Sequence, residues 1–306
     1  MARLKLLGIK NTNPNSKSIC VYRGCGGYGD VLNMRLIFED LKNLYKDYSI
    51  DWCLPYSFLD AAASHPFVSK VISLQDYNKS NYKYVFDLTT ACTKYEWKHK
   101  INNKKNRAEI WANHIGFELK NAFMYMPIYN KYFEEIKQDL VNFGWDENKK
   151  IVLFCPYSAI QAKNLTHQQI LTIKDLTKNF FLIALHNKQC EYLKQIKVPC
   201  ISNYSLKKSM ALTKFSNYVI STDTGHLHCS GGYNKPTMGL FCYTSGNVIC
   251  KYYKSIIPVQ EENLDCGPCY LYTSCQKSND VVKPCRINIS SEQIKKSWQK
   301  LLNLNI

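Results

Sequence analysis

Asp30 is the residue in this chain whose setting most directly suggests acid–base chemistry. It follows Gly24-Cys25-Gly26-Gly27-Tyr28-Gly29, which closes a strand-like run over Ser18 to Tyr22. A helix-like run then follows, with apolar residues at Val31, Met34, Ile37, Phe38, Leu41, Leu44 and Tyr45. The glycines satisfy G-x-G-x-x-G in the strand-to-helix context of a dinucleotide site. Two features argue against a nicotinamide oxidoreductase. The second strand ends Leu54-Pro55-Tyr56, with Asp51 at its wrong end, so no carboxylate stands where a ribose would be held. A carboxylate directly after the last glycine would also repel the pyrophosphate that occupies the positive end of such a helix. Asp30 reads instead as a carboxylate kept ionised by a helix N-terminus. It is either a plain cap or a general base that takes the proton from an acceptor hydroxyl. Gly27 and Gly29 would then give an acceptor close approach to the backbone.

A second constellation lies in the C-terminal half. Ser221-Thr222-Asp223-Thr224-Gly225-His226-Leu227-His228 falls where a strand ends and a helix begins, the place where open α/β sheets bind ligands. Backbone N–H groups at Thr224 and Gly225, with the Thr224 hydroxyl, suit a diphosphate. Asp223 would be a cap or a ligand for sugar hydroxyls, and His228, one turn on, would approach the same ligand. Upstream, Pro156 to Thr166 follows the first strand of this half and carries Ser158 and Lys163. A lysine in a loop before a helix suits a point-charge contact with phosphate.

Cys266, Cys269, Cys275 and Cys285 give C-x2-C-x5-C-x9-C. Thiolates so spaced can make a tetrahedral structural zinc site, with disulfides or packed thiols as the alternatives. Of the 14 cysteines in the chain, others such as Cys155 and Cys200 sit among apolar neighbours and read as interior thiols.

The elements that must position these residues alternate strand and helix. After the first helix come strands near Ile50 to Leu54, Val68 to Leu74 and Tyr84 to Leu88, with a helix over Tyr56 to Ser64. Helices follow through Ile110 and over Lys131 to Phe143. The pattern restarts with strands at Ile151 to Cys155, Phe180 to Leu185, Pro199 to Ser202, Tyr218 to Ser221 and Pro236 to Phe241. Helices lie between them, and a last one spans Ser291 to Leu302. This alternation predicts parallel sheets faced by helices. The 306 residues exceed one ordinary core. The expected division is an N-terminal domain over 1–145 and a C-terminal domain over 146–306, hinged at Gly144 to Asn148. Thr93 to Arg107, with Lys94, Lys98, Lys100, Lys104 and Lys105, reads as a solvated loop or a mobile loop over a site.

No stretch approaches the roughly 18 apolar residues of a membrane span, and the N-terminus lacks the pattern of an export signal. The expected location is the cytoplasm, with peripheral docking on a membrane left open. The net charge of +16 suits an anionic membrane surface or a nucleic acid. Only five of the 40 basic residues are arginine, however, and nucleic-acid readers lean on arginine. The lysine excess also fits a codon bias.

The motifs Gly27-Tyr28-Gly29-Asp30-Val31-Leu32, Ser158 to Lys163-Asn164-Leu165-Thr166, and Asp223-Thr224-Gly225 with His228 occur in the same order as in glycosyltransferase family 9, the heptosyltransferase-like family. The resemblance spans nearly the whole chain, with Asp-Thr-Gly-x-x-His its most specific part. It implies a GT-B fold of two Rossmann-like domains whose parallel sheets face each other across a cleft. It implies an acceptor-binding N-terminal domain, a C-terminal domain that binds the nucleotide-sugar donor, and metal-independent inverting transfer. By that analogy Asp30 is the base, Lys163 contacts donor phosphate, and Thr224, Gly225 and His228 line the donor site. No catalytic cofactor is expected, and the cysteine tail is left with a structural zinc as its metal reading. The chain departs from the family in its lysine-rich stretch and in lacking a clear acidic ribose-binding residue, for which Glu191 is the candidate. The expected acceptor is a lipid-linked or surface glycan. Transfer to modified bases of DNA and a non-catalytic polyanion-binding protein are the alternatives.

Overall fold

The computed structural model describes residues 12–186, 190–261, 264–270, 275, 278–279 and 283–304. The chain forms two compact units, Met1–Pro127 and Ile128–Ile306. The division falls ahead of the Gly144 to Asn148 hinge expected from sequence. The reason is visible in packing: the helix Phe133–Asn142 buries Ile136 and Leu140 in the core of the second unit.

The first unit runs β1 (Ser18–Tyr22), α1 (Tyr28–Met34), α2 (Phe38–Leu44), β2 (Ser49–Leu54), α3 (Leu59–Ala62), β3 (Lys70–Ser73), β4 (Tyr84–Asp87), α4 (Ala91–His99) and α5 (Arg107–Ile115). The strands pair in parallel in the order β3-β2-β1-β4. Crossovers leave β1 toward β2 on one side and return to β4 on the other. The order therefore reverses between β1 and β4, and the loops leaving these two strands flank a ligand position.

One helix was expected over Val31 to Tyr45, and the structure has two, joined by a 3-10 turn over Arg35–Ile37. Arg35 in that turn is fully buried. Its guanidinium donates to the carbonyls of Ala61 at 2.8 Å, Ala63 at 3.1 Å and Tyr125, so one side chain ties three chain segments. Thr93 to Arg107 is not a loop. It begins as α4, continues through a 3-10 turn at Lys100–Asn102, and is held by Glu96, Asn103 and Asn106, all buried. Polar residues read as solvated from sequence are here the inward anchors. Asn106 caps α5 by accepting from Ala108 N at 2.9 Å.

The second unit runs α6 (Phe133–Asn142), β5 (Ile151–Cys155), α7 (His167–Leu176), β6 (Phe181–Leu185), α8 (Glu191–Gln195), β7 (Cys200–Ile201), α9 (Leu206–Phe215), β8 (Tyr218–Thr222), α10 (Gly225–Gly232), β9 (Thr237–Leu240), α11 (Gly246–Ile249), β10 (Ile256–Val259), α12 (Pro284–Ile287) and α13 (Ser291–Leu302). Its sheet is parallel throughout, in the order β10-β9-β8-β5-β6-β7. Strand β10 was not anticipated from sequence. Helix α13 has the expected bounds, but its cap is Ser290, which accepts from Gln293 N at 3.2 Å. One face of the sheet packs Leu153, Ile183 and Val219 against Ile136, Leu140 and Leu212. The other packs Val152, Phe154 and Ile220 against Ile170, Ile173, Ile294 and Trp298. Alternate strand residues thus feed opposite layers. The order reverses between β5 and β8, again placing a ligand position at their carboxyl ends.

Among the described residues no helix is long and apolar enough to cross a membrane.

Packing at Gly231 gives a direct test of how α10 is seated. A Cβ there would lie 2.6 Å from the Tyr253 ring, and Tyr253 in turn bonds His228 at 2.9 Å. Alanine normally improves a helix interior by roughly 0.5–1 kcal/mol over glycine. Here Gly231→Ala is expected to destabilise the protein by about 1–3 kcal/mol through overpacking, read from urea denaturation. An equal or more stable variant would show that the ring is free to shift.

Candidate functional site

In the first unit the switch point is built around Asp30. Backbone leaves β1 through Arg23 and Gly24 and turns into α1, whose third residue is Asp30. Its carboxylate accepts from Gly27 N at 3.1 Å and from Arg23 Nη2 at 2.9 Å, and it pairs with Arg107 Nη1. Arg107 holds Glu96 with its remaining nitrogens, Nε to Oε1 at 2.7 Å and Nη2 to Oε2 at 2.8 Å. The result is a chain of alternating charge, Glu96–Arg107–Asp30–Arg23. Burial by itself would raise the Asp30 carboxyl. The charges of Arg107 and Arg23, with the Gly27 N–H, outweigh it and hold that carboxyl far below the usual carboxylate range. Asp30 is therefore ionised at any ordinary pH, and 13% of its side chain remains exposed to a ligand.

Arg23 is placed by its neighbours from both strands of the switch. Its guanidinium lies 5.0 Å from the centre of the Trp111 ring and donates to Leu88 O, just past β4, at 3.3 Å. Gly24 N donates to Thr89 Oγ1 at 2.8 Å. Gly26 has φ +124°, and a Cβ on it would come within 2.5 Å of Arg23 Nη2 and 2.8 Å of Asp30 Oδ2. The glycine cluster thus makes room for an ion pair, not for a pyrophosphate. Gly27 is exposed with nothing within 4 Å of a notional Cβ, so its openness faces solvent.

In the second unit the switch point brings Lys163 and Asp223 together. Lys163 ends the 3-10 turn Gln161–Lys163 after β5, and Asp223 directly follows β8. Lys163 Nζ lies 2.7 Å from Asp223 Oδ2, with 11% and 8% of the two side chains exposed. Thr244 Oγ1, after β9, donates to the same carboxylate oxygen at 3.0 Å, and Nζ stands 5.6 Å from the Tyr243 ring centre. Thr224 is the N-cap of α10 without a side-chain cap bond, and Gly225 is the first helical residue. The Thr224 hydroxyl lies 3.0 Å from Ser221 Oγ. Ser158 shapes its own loop: its Oγ accepts from Ile160 N at 3.2 Å, and its N–H donates to Asn164 Oδ1 at 2.8 Å. His228 is buried, with Nδ1 2.9 Å from the Tyr253 hydroxyl.

Sequence reasoning missed the partners. Arg23, Glu96 and Arg107 surround Asp30, while Thr244, Tyr243 and Arg286 surround the Lys163–Asp223 pair. Arg286 is fully buried and donates from Nη2 to Lys163 O at 2.8 Å and Leu240 O at 3.2 Å. A signal was available: arginine is scarce in this lysine-rich chain, and all four arginines among the described residues are buried or half-buried at such junctions.

The cysteine tail does not assemble as its spacing suggested. Among the described residues no three His, Cys, Asp or Glu side chains converge on a metal position. Cys266, Cys269, Cys275 and Cys285 are half-buried thiols without disulfides. Tyr270 N donates to Tyr243 O at 2.9 Å, which folds the tail back on the end of β9. Cys285 there hydrogen-bonds with Cys242, a residue outside the tail motif. That bond, with the nearby charges of Arg286 and Lys163, overcomes burial and holds the Cys242 thiol below its ordinary range.

The sequence profile of glycosyltransferase family 9 (heptosyltransferase) matches residues 68–279. No curated protein matches the chain. Among solved structures, the family 9 glycosyl transferase from Veillonella parvula superposes with a TM-score of 0.70 at 13% identity, over 96% of this chain and 98% of that one. ADP-heptose LPS heptosyltransferase II of E. coli gives 0.64 at 13% identity, over 93% and 98%. The dodecameric iron-containing glycosyltransferase TibC of enterotoxigenic E. coli gives 0.70 at 10% identity, over 93% and 76%. Two parallel α/β units with this likeness make the fold GT-B. The chain belongs to glycosyltransferase family 9 and is a glycosyltransferase.

Proposed function

We propose that the protein transfers a sugar from a nucleoside-diphosphate sugar to a hydroxyl of a lipid-linked or surface glycan, with inversion and without a catalytic metal. The observation that carries this reading is the Lys163–Asp223 pair at the switch point of the second sheet. A half-buried lysine beside the open first turn of a helix is a charge site suited to a diphosphate. In the proposed complex the diphosphate lies against Lys163 Nζ and the N–H groups of Thr224 and Gly225. Asp223, steadied by Thr244, accepts from sugar hydroxyls. Ser158 shapes the Lys163 loop, and His228 seats α10 through Tyr253. The first donor to test is ADP-heptose, since one relative is an ADP-heptose heptosyltransferase.

The acceptor hydroxyl attacks the anomeric carbon from the face opposite the diphosphate. Its oxygen–carbon bond forms as the bond to the diphosphate oxygen breaks, and the leaving group departs with that electron pair. The transition state is oxocarbenium-like. Lys163 and the start of α10 offset the charge that grows on the diphosphate, the part a metal plays elsewhere. Asp30 receives the hydroxyl proton. With two arginines on it the carboxylate is a weak base at rest, but the attacking oxygen becomes acidic as its new bond forms. A hydroxyl that displaces Arg107 from Asp30 both gains a proton acceptor and strengthens that acceptor. Gly27 and Gly29 leave backbone room for this approach.

Three measurements test the reading. ADP or ADP-heptose at about 100 times its dissociation constant is expected to add roughly 2.7 kcal/mol of stability. Lys163→Ala should abolish that shift and slow turnover by about 10²–10³-fold, with wild-type activity unchanged by EDTA. A full shift in the variant, or loss of activity in EDTA, would refute the donor site as drawn.

Asp30→Asn is expected to keep the nucleotide shift and lose transfer. Arg107→Ala, by raising the carboxyl, should move the acidic limb of the turnover profile to higher pH. An unmoved limb would mean that Asp30 is not the base.

The same carboxylate makes a stability prediction. Its folded pKa is depressed, so its contribution is present above the unfolded value of about 3.9 and is lost as pH falls toward the folded one. The wild type should exceed Asp30→Asn by about 3 kcal/mol from pH 7 to pH 5, with the gap closing only in stronger acid. A gap that closes already near pH 6 would mean that the arginines do not hold this carboxylate.

A further inference from the structure

Helix α4 and the turn after it present an outer face that the transfer reaction does not use. Lys94, Trp97 and Lys98 lie on one side of the helix, Trp97 and Lys98 being three and four residues on from Lys94, and Ile101 follows in the turn Lys100–Asn102 just past the helix end. Trp97 is 59% exposed and Ile101 53% exposed. Lys94, Lys98, Lys100 and Lys104 are exposed around them, and Lys105 is half-buried with Nζ 5.7 Å from the Tyr95 ring centre. From residue 88 to 108 the only acidic side chain is Glu96, and it is 1% exposed, turned inward onto Arg107. The exposed charge of the segment is therefore entirely positive.

We propose that this face docks on an anionic lipid bilayer, with Trp97 and Ile101 at the headgroup level and the lysines on acidic headgroups. A basic loop alone would be a solvated surface. The indole and the isoleucine held among lysines make the difference: an interfacial segment combines apolar side chains with basic ones, and tryptophan favours the headgroup region. A nucleic-acid phosphate backbone would use the lysines and leave Ile101 without an apolar partner. The inward side fixes the face in place. Glu96 and Arg107 make two parallel bonds, and Arg107 pairs with Asp30. The docking helix is thus tied by one arginine to the carboxylate of the first unit. The proposal does not rest on sugar transfer, because lipid binding is read directly.

The test is sedimentation of the full chain with vesicles of phosphatidylglycerol in phosphatidylcholine, and with phosphatidylcholine alone. Binding is expected only to the anionic vesicles and should weaken with salt. Each lysine is worth about fivefold in partitioning, so Lys94, Lys98, Lys100 and Lys104 all changed to Glu should lose more than about a hundredfold. Trp97→Ser with Ile101→Ser should weaken binding at unchanged charge. Brominated lipids read the same contact without a disruptive variant: they should quench wild-type fluorescence, and Trp97→Phe should abolish the quenching. No binding to anionic vesicles, or binding untouched by both variants, overturns the proposal. So does tighter binding to duplex DNA that the charge variant abolishes and the Trp97→Ser, Ile101→Ser variant does not, which would make this a nucleic-acid surface.

Discussion

An ionised carboxylate out of bulk water is costly unless opposite charge and donors surround it, and in the first unit that cost organises the structure. Asp30 is kept charged by Arg23 and Arg107, and Glu96 balances the second arginine. Each member then imposes a requirement nearby. Arg23 needs the Trp111 face from α5 and the Leu88 carbonyl beyond β4. The close pair needs Gly26 without a side chain and at positive φ. Glu96 needs α4 to turn a polar residue inward. Four segments distant in sequence meet because one carboxylate must be neutralised, and they meet at the carboxyl ends of β1 and β4.

The second unit uses the same topological position with the charges exchanged. There the side chain after the first strand of the switch is a cation, Lys163, and the carboxylate Asp223 pairs with it from the end of β8. Arg286 donates from Nη2 to the carbonyls of Lys163 and Leu240, pinning the β5 loop to the end of β9. One unit thus holds an ionised carboxylate at its switch point, and the other a lysine paired with a carboxylate.

Much of this was legible in the residues. Strand–helix alternation predicted both parallel sheets, because a buried strand and an amphipathic helix carry different periods. Asp30 and Asp223 were singled out because their types follow strand ends, whereas Lys163, one lysine among many, was singled out by the family resemblance. What was not legible depends on contacts across the chain. Glu96 and Arg107 looked like parts of a solvated lysine-rich loop, since charge alone does not say which way a side chain faces. The domain boundary was placed at a glycine turn, yet α6 belongs with the second sheet through Ile136 and Leu140. Four tail cysteines suggested a metal by spacing, but folding of the tail onto β9 brought Cys285 to Cys242, which no spacing rule includes.

The scarcity of arginine ties these points together. A chain with 40 basic residues and only five arginines does not use the two types alike. The arginines among the described residues sit where a planar group must donate in several directions at once: Arg35 to three carbonyls, Arg107 to two carboxylates, Arg286 to two carbonyls. Lysine, a strongly hydrated point charge, cannot replace that geometry. Lysine supplies most of the surface charge, where hydration is cheap and a long-range positive field is the result. Such a field draws anions to the molecule without regard to detail. Two lysines depart from the pattern: Lys163, with 11% of its side chain exposed, pairs with a carboxylate at a strand end, and Lys208 pairs with Glu135 and Asp139. In a sequence biased toward lysine, the informative basic residues are therefore the few arginines and the little-exposed, ion-paired lysines, and net charge says little about which chemistry is done.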